Sequence, residues 1–171
     1  MEDPPSVVED LALGAFRLVK EGLDHELDFE AETLPLLDHY LATLRDDDDG
    51  QPDEKVVMVV GPCAGAYYGE VVRRTLPGLR WRLPETEHEY LEWRLEGAGG
   101  SLSFNPVGVA LEAIFGESLA EWNAHLSLPP VERANVERAL AAAPAVREED
   151  YYRLSIRHEV LEHALAVLSR G

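Results

Sequence analysis

Leu79-Arg80-Trp81-Arg82-Leu83, then Leu91-Glu92-Trp93-Arg94-Leu95-Glu96, then Ser101-Leu102-Ser103-Phe104 is the stretch that decides the fold class. In each run an apolar side chain alternates with a polar one, the period of a strand with one face in a core and one in water. Gly97-Ala98-Gly99-Gly100 supplies the turn between the second and third runs. One polar face per strand predicts a three-stranded antiparallel meander over about residues 79–104, packed on helices by its Leu/Trp side.

Helical patterns flank this meander. Asp53 to Leu76 predicts a helix, apolar in its first half and charged in its second, with Gly61, Gly65 and Gly69 on one face where another backbone can come close. Pro62 predicts a kink in it. The competing reading of the same stretch is a strand Val56 to Val60 and a phosphate loop at Gly61-Pro62-Cys63-Ala64-Gly65. It lacks both G-x-G-x-x-G and G-x-x-x-x-G-K-[ST], so the packed helix is preferred. Ser6-Val7-Val8-Glu9 reads as a capping box opening a first helix that Gly22 ends, and Leu34, Leu37, Leu41 and Leu44 form the stripe of a second. Downstream, Asn105 caps a helix with Pro106 at its first position and Gly116 past its end. Ser118-Leu119-Ala120-Glu121 reads as a further capping box, Pro129-Pro130 opens a helix that Pro144 stops, and the last helix is expected over Glu148 to Ser169. The expectation is a mostly helical α+β protein forming a single globular domain over residues 1–171.

The composition narrows the function classes. Acidic residues number 33 against 15 basic ones, a net charge of -18, which opposes binding to nucleic acid or to an anionic membrane. Lys20 and Lys55 are the lysines; every other cation is arginine. The lone Cys63 excludes an intrachain disulfide framework and a cysteine zinc site, and fits a reducing compartment. No apolar run approaches the ~20 residues of a membrane span. The opening Met1-Glu2-Asp3-Pro4-Pro5 is acidic where a secretory signal is basic, so the expected location is cytoplasmic. The arginine-rich, alanine-rich composition points to a bacterial source.

The blocks Gly65-Ala66-Tyr67-Tyr68-Gly69-Glu70-Val71-Val72-Arg73-Arg74, Gly78-Leu79-Arg80-Trp81 and Phe104-Asn105-Pro106-Val107-Gly108, with Leu27-Asp28-Phe29 before the second helix, resemble an uncharacterised family of small bacterial proteins. That family carries a G-A-Y-x-G-E-x-x-R-R helix, a tryptophan strand and an F-N-P helix start. The resemblance spans roughly residues 24–125 and implies no activity and no catalytic residues.

Candidate chemistry is sparse. Tyr67, Tyr68, Glu70, Arg73 and Arg74 share one helix segment, with the glutamate three and four residues before the arginines. The plain reading is an intrahelical ion pair with one tyrosine buried. The functional reading is a pocket floor that also draws on Arg80 and Asn105. Arg73, Arg74, Arg80, Arg82 and Arg94 concentrate a third of the cations in one region, a spot suited to forked hydrogen bonding of a phosphate or carboxylate. Against that, Arg80, Arg82 and Arg94 are placed to pair across strands with Glu92 and Glu96. His158 and His163 are five apart, roughly 140° around a helix, which fits no zinc motif. A solvated face of His158–Glu162 and Glu159–His163 pairs is expected, with no metal and no cofactor. The acidic run Asp46-Asp47-Asp48-Asp49-Gly50 lacks the ligand spacing of a calcium loop.

These features lead to a non-enzymatic, acidic binding protein that recognises a basic protein partner, with Asp46–Glu54 and the acidic start of the last helix as contact points. The alternative is a small ligand-binding domain or enzyme with a pocket around Tyr67, Glu70, Arg73 and Arg80. Nothing in the sequence sets the oligomeric state.

Overall fold

The computed structural model describes residues 2–45, 50–97 and 102–170. Among these, the helices are α1 (Ser6–Leu23), α2 (Leu34–Thr43), α3 (Glu54–Thr75), α4 (Pro106–Phe115), α5 (Pro130–Ala141), α6 (Glu148–Tyr151) and α7 (Leu154–Ser169). The strands β1 (Arg80–Arg82), β2 (Arg94–Glu96) and β3 (Ser103–Phe104) form one antiparallel sheet in the order β1-β2-β3. The fold is mostly helical α+β with a small meander.

Helix α3 is the axis of the molecule. Asp53 accepts from the amides of Lys55 and Val56 and caps its start, and every residue from Val60 to Val72 is buried. A helix buried all round needs neighbours on opposite sides. Helix α1 packs on one, where Gly14 lies against Cys63, and α4 on the other, where Gly61 meets Leu111 and Gly65 meets the Val107 backbone. The glycine face therefore serves close helix approach, and Gly69 extends it by seating the ring of Trp81. The helix runs unbroken through Pro62, so no phosphate loop forms at Gly61–Gly65.

The meander is shorter than the alternation suggests. In register, Trp81 faces Leu95 and Leu95 faces Phe104. Leu91 falls in a 3-10 turn over Tyr90–Glu92 rather than in a strand, because the segment before Trp93 is held by side chains instead of a ladder. Trp93 is fully buried, stacks edge-on with Trp81 and Tyr90, and donates its indole N–H to the Glu87 carbonyl at 2.8 Å. The Gly97–Gly100 turn extends beyond the described residues, as do Ser101 and Asp46–Asp49.

Four boundaries differ from expectation. The Ser6 box does not form: Pro5, at φ -55 and ψ 143, occupies the capping position, its carbonyl accepts from Glu9, and Ser6 lies inside the helix. That helix also passes Gly22 and ends on Asp24, which adopts the left-handed conformation. The Ser118 box is likewise not made, because the Ser118 hydroxyl donates to Glu112 at 2.7 Å and only a 3-10 turn, Ala120–Trp122, follows. The last helix is two. Asp38 of α2 accepts from the amides of Leu154 and Ser155 and from the Ser155 hydroxyl, creating a fresh helix start after Arg153. By contrast Asn105, Pro106 and Gly116 occupy the cap, first and left-handed end positions of α4 that the sequence assigns them.

Candidate functional site: an arginine cleft at the end of helix α3

Glu70 organises this end of the molecule. Its carboxylate is buried and accepts Arg73 Nε at 2.8 Å and Nη2 at 2.9 Å, Arg74 Nε at 3.2 Å, and the Trp81 indole N–H at 2.7 Å. The helical spacing brings both arginines to it, and the chain reversal at Gly78 (φ +81) returns Trp81. Burial opposes its ionisation, yet the hydrogen bonds from Arg73 and Trp81 and the two guanidinium charges outweigh burial and hold the carboxyl below its ordinary range. A carboxylate with four donors and a lowered pKa is a poor general base.

The arginines face outward from it. Arg73 uses Nη1 to donate to the Glu2 carbonyl at 2.8 Å, and Arg74 lies 3.7 Å over the Phe29 ring. Arg80 is exposed and makes no ion pair with a described residue. Together with Trp81, Glu2, Asp3, Leu76 and Pro77 they line a cleft of about 720 Å³.

The remaining candidates go elsewhere. Tyr67 is buried; its hydroxyl accepts the Phe29 amide at 3.0 Å and pairs with the Thr33 hydroxyl at 3.0 Å. Phe29 has φ 65, a left-handed conformation unusual for an aromatic residue, and Tyr67 holds it by that bond and by ring stacking. Asn105 spends its oxygen on the amides of Val107 and Gly108 and its nitrogen on the Tyr90 carbonyl. Arg82 pairs with Glu96 at 3.2 Å, while Arg94 donates to the carbonyls of Leu91 and Trp93, so only one of the expected cross-strand ion pairs forms. The structure thus unites Glu70, Arg73, Arg74 and Arg80 and separates Tyr67, Arg82 and Asn105 from them.

Several groups escaped the sequence reading. His158 is not on a solvated face: it is buried, with Nε2 2.7 Å from the Thr75 hydroxyl, and burial lowers its pKa against the pull of Glu162 and Glu159. His163 reaches the Glu159 carbonyl instead of its carboxylate. Glu112 and Arg157 form a buried ion pair, and Arg157 also donates to the Ala124 carbonyl at 3.0 Å. A lone acid in the apolar sequence of α4 was the signal for such a partner. Beside it, the fully buried Tyr68 hydroxyl has no hydrogen-bond partner among the described residues, and burial pushes its pKa up.

A second surface feature lies between β1 and β2. Glu85, Glu87, Glu89 and Glu92 are all exposed on a loop whose backbone is fixed by four side-chain donors: Trp93 to Glu87, Asn105 to Tyr90, and Arg94 and Asn123 to Leu91. The acidic start of α6, by contrast, is partly neutralised, since Arg147 and Arg153 pair with Glu149 and Asp150. The described residues contain no cluster of three or more His, Cys, Asp or Glu arranged to hold a metal, and no helix long and apolar enough to cross a membrane. Compared with protein-family models, curated proteins and solved structures, the chain matches none of them.

Proposed function

We propose that this chain is a non-enzymatic acidic binding protein of the bacterial cytoplasm that takes a basic protein segment on the Glu85–Glu92 loop. The observation that carries this reading is a rigid acidic presentation: four exposed glutamates on backbone tied down by Trp93, Asn105 and Asn123. A loop already ordered loses little conformational freedom when a partner arrives. The net charge of -18 steers cations toward it and repels nucleic acid. Leu91, exposed among the glutamates, offers an apolar contact inside the acidic rim. The resemblance to a family without assigned activity neither adds to this reading nor opposes it.

The test uses a nine-residue arginine peptide, with binding followed by fluorescence anisotropy at low and physiological salt. Changing Glu85, Glu87, Glu89 and Glu92 together to Gln is expected to weaken binding by roughly tenfold or more at low salt. A control protein carries Gln at Glu117, Glu121, Glu137 and Glu148, which are equally exposed. Equal affinity of the two variants makes the attraction a property of total charge and overturns the loop assignment.

A further inference from the structure

The arginine cleft lies outside that docking reading. Its chain segment Glu2–Pro5 forms one side of it as a strap: the Glu2 carbonyl takes the outward Nη1 donor of Arg73, and Glu2 and Asp3 line the cleft beside Arg74, Arg80 and Trp81. We propose that the cleft is a binding site for a small polyvalent oxyanion, phosphate or carboxylate, with which the chain's own acidic strap competes for the arginines.

Three features carry the inference. The first is composition against background: in a chain with 33 acids, three guanidiniums converge on one concavity, and Arg80 has no ion-pair partner among the described residues. The second is pre-organisation. Glu70 grips Arg73 through two parallel hydrogen bonds and Arg74 through one, and Phe29 supports the Arg74 plane, so the guanidiniums are held in place before a ligand arrives. The third is the strap itself. Three cations meet three carboxylates, Glu70, Glu2 and Asp3, so the cleft is balanced while the strap lies beside it and carries two uncompensated positive charges once it lifts. Glu70 chiefly, and Asp3 and Glu2 in addition, raise the Arg73 pKa. At about 720 Å³ the cleft has room for a metabolite-sized anion, and Trp81, Leu76 and Pro77 give it an apolar wall for the body that carries the charge.

Isothermal titration calorimetry with inorganic pyrophosphate and with citrate tests this on the full chain. The double variant Glu2→Gln, Asp3→Asn is expected to bind one of the two roughly five- to tenfold more tightly than the parent, because two like charges have left the cleft. Arg80→Gln, at an exposed position that leaves the fold intact, is expected to weaken the same anion about tenfold. Preference for pyrophosphate assigns a phosphate ligand, and preference for citrate a carboxylate. Failure of both anions to bind the double variant at millimolar concentration overturns the site. Equal affinity of parent and double variant overturns the strap as competitor, and indifference to Arg80→Gln places binding outside the cleft. None of these outcomes depends on whether the Glu85–Glu92 loop binds a basic peptide.

Discussion

Glu70 shows how one buried charge sets its surroundings. With 1% of the residue exposed and four donors converging on it, the carboxylate is stabilising only because Arg73, Arg74 and Trp81 surround it. Glu70→Gln keeps the shape and removes the charge, leaving Arg73 partly unpaired in a buried position. The expected loss is about 3 kcal/mol in chemical denaturation. The pH dependence follows from the lowered pKa. The folded state binds its proton less readily than the unfolded state, so this stabilisation is complete above the ordinary value of 4.5 and is lost as the pH falls through the lower folded-state value. The parent should therefore lose stability below pH 4.5 more steeply than Glu70→Gln. Parallel curves for the two proteins would show that the carboxylate is not the source.

At the scale of elements, α3 is built for contact on opposite faces, and its glycines are the means on the α4 side. A Cβ at Gly65 would press on the Val107 backbone, which cannot turn aside as a side-chain tip can. Gly65→Leu should cost about 3 kcal/mol, far beyond the roughly 1 kcal/mol that leaving glycine gains in helix propensity. Parent-like stability in a denaturant titration would mean that α4 does not lie where the structure places it. Helix α7 is attached differently, by polar ties to three other helices: Asp38 of α2 at its start, Thr75 of α3 to His158, and Glu112 of α4 to Arg157. Burial pushes the Asp38 carboxyl up, while the hydrogen bonds of Ser155 and Leu154 pull it back. The same carboxylate divides the expected single C-terminal helix into α6 and α7.

For the whole molecule the dominant quantity is charge. An excess of 18 negative charges repels itself in the compact state, and the ion pairs present are mostly local. Raising sodium chloride from about 10 to about 300 mM shortens the screening length and should relieve this repulsion. The expected rise in Tm is roughly 3 °C, the shift that about 1 kcal/mol produces in a chain of this size. A Tm that falls with salt would mean that attractive pairs outweigh the repulsion. Salt thus has opposite expected effects on the two properties: it strengthens the fold and weakens capture of a basic peptide.

By itself the sequence determined the features that depend on neighbours along the chain. Alternation placed Trp81, Leu95 and Phe104 on strands, Asn105-Pro106 and Gly116 bounded α4, and the three- and four-residue spacing tied Glu70 to Arg73 and Arg74. Each is a local rule, acting over one turn or one pleat. Only the tertiary structure decided where side chains meet groups far away in sequence. It sent Tyr67 to the Phe29 amide and Asn105 to the Tyr90 carbonyl, consuming two candidate site residues in holding loops. It buried His158 against Thr75, gave Arg157 to Glu112, and tied the Glu2 carbonyl to Arg73 at the arginine cleft. The capping boxes expected at Ser6 and Ser118 show the same division, since a capping box is only one use of a serine hydroxyl and Ser118 donates to Glu112 instead. Periodicity records which face of an element turns inward; which partner it finds there depends on packing across the chain, and that partner decides whether a charged side chain supports the fold or stays free to bind.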